Sequence, residues 1–246
     1  MPPVLEARDI AKSFGPTPAL RGLSLTIDAG EVVAITGPSG SGKSTLLHCL
    51  AGIIRPDAGE VRFGGTRLDR LDEEARTRLR RDNFGVVLQF GHLVPELTAA
   101  ENIALPLMLA GAEREAAHTA AAEWLDRVGA GECARLRPGD LSGGQIQRVA
   151  VARALAGEPS VIFADEPTGA LDTIAGEQVL AQLLGAVRSR RATLVLVTHD
   201  NQVAAYADRE VIVRDGRLVD PVEPAGPAGT GGPPWGMDAT LPEVTR

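Results

Sequence analysis

Residues Gly37-Pro38-Ser39-Gly40-Ser41-Gly42-Lys43-Ser44 have the spacing of a phosphate-binding loop, G-x-x-x-x-G-K-[ST], and Thr45 follows directly. Glycines at these places let backbone N–H groups close around phosphate oxygens. A helix starting at the loop's end turns its positive pole toward them. In that setting Lys43 supplies a compact charge to β- and γ-phosphates, Ser44 offers a hydroxyl to Mg²⁺, and Thr45 reaches for the α-phosphate. The chain holds only two lysines, Lys12 and Lys43, so a lysine here asks for a chemical reason. Asp165 and Glu166 follow the apolar run Val161-Ile162-Phe163-Ala164. One carboxylate there can hold the magnesium shell, and its neighbour can orient or deprotonate an attacking water. Either motif alone also fits a flexible turn or a helix cap. Joined, they describe a nucleotidase.

A third group is Leu141-Ser142-Gly143-Gly144-Gln145, where Ser-Gly-Gly opens a helix running to about Ala156. Its free N–H groups and dipole make a second anion site, although the loop at 37–44 already encloses a nucleotide's phosphates. Two such helix ends in one chain make sense if the second serves a nucleotide held by a partner chain.

These groups need a scaffold. Val32-Val33-Ala34-Ile35, Val161–Ala164 and Leu194-Val195-Leu196-Val197 are short unbroken apolar runs, as expected of parallel strands covered on both faces. Each ends in polar residues, at the strand ends where open α/β sheets bind ligands. Val4–Ile10 and Leu23–Ile27 also predict strands, and Leu23, Leu25 and Ile27 alternate with polar neighbours as in a half-exposed sheet. Between Glu101 and Ala156 an Ala-rich stretch has helical spacing, with Ala121, Trp124, Leu125 and Val128 on one face. Val211-Ile212-Val213-Arg214, Asp215-Gly216 and Arg217-Leu218-Val219 predict a hairpin. From Pro221 onward Pro and Gly dominate, so the tail at 221–246 is expected to be disordered.

Composition narrows the partners. A net charge of −7 speaks against nucleic acid, which needs a basic face. Cys49 and Cys133 stand far apart without metal-ligand spacing, the pattern of isolated buried thiols. No basic stretch leads into an apolar run near Met1, so no signal peptide is expected. The longest apolar stretch, Ile103 to Gly111, is broken by Pro106 and falls well short of the ~20 residues that span a bilayer. A cytoplasmic location is expected.

The loop at 37–45, Leu141-Ser142-Gly143-Gly144-Gln145 and the Asp165-Glu166 strand, in that order, resemble the ABC ATPase family over about residues 4–220. The resemblance implies an α/β fold: a P-loop nucleotidase core with a mainly parallel sheet, an N-terminal antiparallel β subdomain, and an inserted helical subdomain at about 92–157, within one domain at 1–220. It implies ATP and Mg²⁺, and a head-to-tail homodimer in which Ser142, Gly143, Gly144 and Gln145 complete the site of the other subunit. Phe14 falls where an aromatic ring, usually Tyr, stacks on adenine. Gln89, after Gly85-Val86-Val87-Leu88, matches a glutamine that touches Mg²⁺ and the attacking water. Asp172, in Gly169-Ala170-Leu171-Asp172, matches a loop crossing the dimer interface, and His199 matches a switch histidine at the γ-phosphate. Every position carries a competent residue type, which implies an active ATPase.

Leu97–Leu107 and Asp165-Glu166-Pro167-Thr168-Gly169 are most similar to the lipoprotein-release and macrolide-efflux branch, whose members pair with cell-division-type permeases. The lipoprotein-release members usually have Asn at the place of Ala170. A non-transport ABC ATPase in a soluble assembly complex would share the site, but Gln145-Ile146-Gln147-Arg148 resembles transporters more. With no segment that spans or anchors in lipid, the chain is expected to bind its permease in a cleft between the helical subdomain and the core. Phe90, Leu93, Val94 and Leu97 would be divided there between core and an apolar groove taking a short helix.

Overall fold

The computed structural model describes residues 3–169 and 171–219; Ala170 and the tail at 221–246 lie outside them. The chain opens with strands β1 (Leu5–Phe14) and β2 (Thr17–Ile27), then β3 (Val32–Thr36) and helix α1 (Lys43–Leu50). Next come β4 (Ala58–Phe63), β5 (Thr66–Arg67), α2 (Glu73–Asn83) and β6 (Phe84–Val87). Three helices follow, α3 (Ala99–Leu109), α4 (Arg114–Arg127) and α5 (Gly143–Ala156). The chain then returns as β7 (Val161–Asp165), α6 (Thr173–Arg190), β8 (Thr193–Val197), α7 (Asn201–Ala204), β9 (Arg209–Arg214) and β10 (Arg217–Val219).

One sheet is antiparallel, in the order β2-β1-β4-β5, and corresponds to the expected N-terminal β subdomain. Along β2 the residues Leu23, Leu25 and Ile27 are buried and their neighbours exposed, so the alternation read from sequence is a pleat with one wet face. The second sheet has the order β10-β9-β3-β8-β7-β6. Its first five-residue runs behave as their composition requires: β3, β7 and β8 are buried at every position and pair in parallel. β10 alone runs antiparallel in it, joined to β9 by the Asp215-Gly216 turn.

Two apolar cores flank this sheet. Leu46, Leu47 and Leu50 of α1 pack with Val33, Ile35, Phe163 and the β1–β2 residues on one side. On the other, Ile103, Ala121, Trp124, Leu125, Val128 and Val149 join α3, α4 and α5 to Ile162 and Leu194. Trp124 is a core residue, its ring flanked by the Arg127 and Arg190 guanidinium groups at 5.0 and 5.3 Å. The segment after β6 is tied down by buried Asn102 of α3. Its Nδ2 donates to the carbonyls of Val94, Leu97 and Thr98, and its Oδ1 accepts from the Val94 N–H.

Both cysteines are free and buried. Burial pushes the Cys49 thiol up to about 12, which leaves almost no thiolate to react. A water-soluble disulfide reagent is therefore expected to find no thiol in the native protein. Both should titrate once denaturant is added; a fast-reacting thiol under native conditions would contradict this packing.

Candidate functional site

The loop at 37–42 leaves the end of β3 at the middle of the parallel sheet and delivers the chain into α1. Gly37 has φ +136°, and a Cβ there would lie 2.0 Å from the Val213 carbonyl oxygen, so no side chain fits. Gly42 is the residue before α1 and takes φ 105°. No side chain caps this helix and its first turn carries no acid. By contrast α2, α3, α5 and α6 are capped by Asp72, Thr98, Ser142 and Asp172. The N–H groups of the first turn of α1 thus face the loop with no side-chain acceptor of their own, a cradle for an anion. Lys43 is buried, and its Nζ donates to the carbonyls of Gly37 and Pro38 at 2.8 and 2.9 Å. The charge is held against the loop's own backbone. Ser41 Oγ, also buried in the loop, has no protein partner.

Parallel pairing brings the acids to the same place. Asp165, the last residue of β7, is buried and accepts a 3.1 Å hydrogen bond from Ser44 Oγ. Asp165 pairs in register with Val197 of β8, so the residues just beyond, Glu166 and His199, emerge side by side. Glu166 N–H donates to the Val197 carbonyl, and Glu166 Oε1 lies 2.8 Å from His199 Nδ1. Glu166 takes a left-handed backbone, φ 47°, which costs a side-chain-bearing residue about 1–3 kcal/mol. The carboxylate is largely shielded while the imidazole is two-thirds exposed. A cleft of about 520 Å³ runs from Gly37–Ser39 to His199, walled by Glu210 and Arg214. Around this end of the sheet lie the first-turn N–H groups of α1, a buried cation, a hydroxyl–carboxylate pair and a carboxylate–imidazole pair. This arrangement suits a polyphosphate with a water attacking its last phosphorus.

Phe14 ends β1 at the hairpin whose other strand meets the loop, since Ala19 and Leu20 of β2 press on Gly42. The ring is half exposed, so it is not core, and Lys12 Nζ lies 5.8 Å from its centroid. Thr45 is half buried in the first turn of α1.

Other predicted residues lie apart. Gln89 is exposed just beyond β6 and makes no hydrogen bond to Ser44 or Asp165. Ser142 and Gln145 form a capping box on α5: Ser142 Oγ accepts from the Gln145 N–H and Gln145 Oε1 from the Ser142 N–H. These two N–H groups are satisfied locally, which revises the picture of a helix end with all its donors free. Gly143 and Gly144 remain at its tip, with an ideal Cβ on Gly144 3.8 Å from Ala175 at the start of α6. Asp172 caps α6 by accepting from the Ala175 N–H. The α5 and α6 caps thus form one surface patch, separate from the loop of their own chain.

Sequence reasoning missed Arg148 and Arg153. Arg148 of α5 reaches the Gly129 carbonyl and Gln178 of α6, and Arg153 donates to the carbonyls of Gly91 and His92. Their partners are backbone atoms and a distant amide, which leave no pattern along the chain.

Of the residues expected to be divided between core and apolar groove, Leu93, Val94 and Leu97 are half buried, Leu93 packs on the core, and Phe90 is exposed. A cleft of about 640 Å³ lies nearby between α2, β6 and α3, among Leu88, Leu105, Pro106 and Leu109. Leu109 is 63% exposed.

The family model for the ABC transporter matches residues 20–169. The lipoprotein-releasing system ATP-binding protein LolD of Geobacter metallireducens is 44% identical over 223 residues, covering 89% of this chain and 99% of that protein. The macrolide export ATP-binding/permease protein MacB of Shigella flexneri is 46% identical over 223 residues, 89% of this chain but 34% of that longer protein. A solved dimeric post-hydrolysis state of the ATP-binding cassette MJ0796, bound to ADP and Pi, is 39% identical. It superposes with a TM-score of 0.83 over 87% of this chain and 96% of that one.

Proposed function

The chain belongs to the ABC transporter family, as an ATP-binding and hydrolysing subunit that dimerises and drives a separate permease, and we propose that its hydrolytic machinery is Lys43, Ser44, Asp165, Glu166 and His199. The observation that carries this is their convergence on the uncapped start of α1. The loop N–H groups and Lys43 hold the β- and γ-phosphates, and Phe14 stacks on the base. Glu166 orients a water in line with the γ-phosphorus and takes up its proton; the new O–P bond forms as the bond to the ADP oxygen breaks. His199 holds the Glu166 carboxylate and faces the same phosphate. Positioning and charge compensation supply most of the rate. The hydroxyl and carboxylate oxygens of Ser44 and Asp165 suit a hard divalent cation, and Mg²⁺ held there, with Gln89, would offset charge on the phosphates.

Ser142, Gly143, Gly144, Gln145 and Asp172 act on the nucleotide of the second subunit. Ser142, Gly143 and Asp172 are exposed and Gly144 and Gln145 half buried on one patch away from their own loop, which supports that geometry. No helix among the described residues is long and apolar enough to cross a membrane. We place the chain on the cytoplasmic face, held there by its permease through the cleft between α2, β6 and α3. A short permease helix would fill this apolar trough. Leu109→Glu is expected to abolish copurification with the coexpressed permease while ATP binding stays at the parent level. Full partner recovery with this variant would move the docking site elsewhere. Failure of the parent chain to copurify with any membrane protein would remove the transporter reading.

A further inference from the structure

The segment after β6 holds three successive residues in the left-handed region: Phe90 at φ 64°, Gly91 at 71° and His92 at 45°. Two of them carry side chains that disfavour this conformation, so something outside the segment holds it. Gly91 is seated on α5, where an added Cβ would come within 2.7 Å of Ile146 and 3.4 Å of Ala150. One turn further along the same stripe stands Arg153, whose Nη2 and Nη1 donate to the carbonyls of Gly91 and His92 at 2.8 and 2.9 Å. Burial pulls the Arg153 pKa down, and no carboxylate among the described residues pairs with it. Its bonds are the two to this loop. On the far side, Asn102 fixes the chain again from Val94 to Thr98. Gln89, between the end of β6 and the clamped carbonyls, has its backbone set from both directions.

We propose that Arg153 is a positioning residue for hydrolysis: its two hydrogen bonds hold the strained loop at 90–92 and thereby set where Gln89 presents its amide. The inference rests on the role given to Gln89 above. It makes α5 a common mount. The helix that carries Ser142 and Gly144 at its start, aimed at the neighbouring nucleotide, fixes at its other end the loop that aims Gln89 at the nucleotide of its own chain. Arg153 also lines the permease cleft, so a helix docking there would meet the clamp directly.

The test is a double-mutant cycle on the purified full-length chain, reading kcat and KM for ATP and the Mg²⁺ concentration at half-maximal rate. Arg153→Gln is expected to lower kcat about tenfold with KM for ATP within about twofold, and to raise the Mg²⁺ requirement. Gln89→Ala should lower kcat at least as much. Combined, the two should be no slower than Gln89→Ala alone, because the clamp has nothing left to aim. Arg153→Lys, which keeps the charge and one donor direction, should fall between parent and Arg153→Gln. If Arg153→Gln does not fold, by circular dichroism and thermal unfolding, the cycle is run with Arg153→Lys. Effects that multiply in the double variant overturn the proposal, as does a loss expressed mainly in KM. A parent-like rate for Gln89→Ala would instead remove the role of Gln89, and the proposal with it.

Discussion

Glu166→Gln is expected to bind ATP as the parent does, to lose at least about a hundredfold in kcat, and to elute as a dimer with Mg-ATP. The substitution keeps the size and the 166 backbone, whose left-handed conformation is fixed by its N–H bond to Val197 and its place at the end of β7. It removes only the capacity to take a proton and the negative charge that faces His199. The phosphate-holding groups, the loop at 37–42 between β3 and α1 with Lys43 and Ser44 of α1, are untouched. Binding and chemistry therefore separate at this one position. An intact nucleotide that is not hydrolysed goes on joining the loop of one chain to the exposed α5 tip of the other. Gel filtration should show the dimer with Mg-ATP and the monomer without nucleotide. A variant that hydrolyses near the parent rate would show that another group activates the water.

The parts of this site legible in sequence are those fixed by local spacing. The loop at 37–44 forms wherever a buried strand feeds a helix through these glycines. Asp165 and Glu166 fall at the end of their strand because Val161–Ala164 is apolar at every position. Their meeting with Ser44 and His199 follows once the three apolar runs are known to pair in parallel, which composition alone suggests. What stayed hidden depends on contacts distant along the chain and made to backbone atoms. Arg153 lies 62 residues from the Gly91 carbonyl it holds, and a carbonyl has no sequence signature. The lining of the cleft is hard to read for a related reason. Phe90, Leu93, Val94 and Leu97 are apolar and close in sequence, yet Asn102 and the α3–α5 core draw Leu93 and Val94 partly inward. The exposed apolar residues at the cleft are Ile53 and Leu109, which lie far apart along the chain. The Ser142 hydroxyl shows how one residue can satisfy two readings: it caps its own helix in this chain, and the cap presents Gly143 and Gly144 outward.

Neither Ser142→Arg nor Lys43→Ala chains are expected to hydrolyse ATP on their own, but an equimolar mixture should recover part of the parent rate. Ser142 is exposed at the α5 tip and hydrogen-bonds to no residue of the loop at 37–44, so the direct effect of a lesion there falls on the nucleotide of another chain. Lys43 is buried in its own loop, so its loss disables the nucleotide bound by the same chain. In a head-to-tail pair each site takes its loop from one subunit and its α5 tip from the other. Homodimers of either variant carry one lesion in each site and are inactive. The mixed dimer collects both lesions in one site: the Lys43→Ala loop faces the Ser142→Arg tip. The opposite site has a parent loop and a parent tip. With random pairing, half the dimers are mixed and each has one whole site, so the mixture should reach about a quarter of the parent rate if the sites work independently. Obligatory coupling between the two sites would pull this figure down, and the size of the shortfall measures that coupling. The introduced arginine also tests the surface itself. At this helix start it removes the α5 cap, at about 1 kcal/mol of stability, but leaves the loop at 37–44 untouched, so ATP binding by Ser142→Arg should match the parent while its hydrolysis does not. Strong hydrolysis by Ser142→Arg alone would show that the α5 tip faces solvent in the working enzyme and that each chain completes its own site.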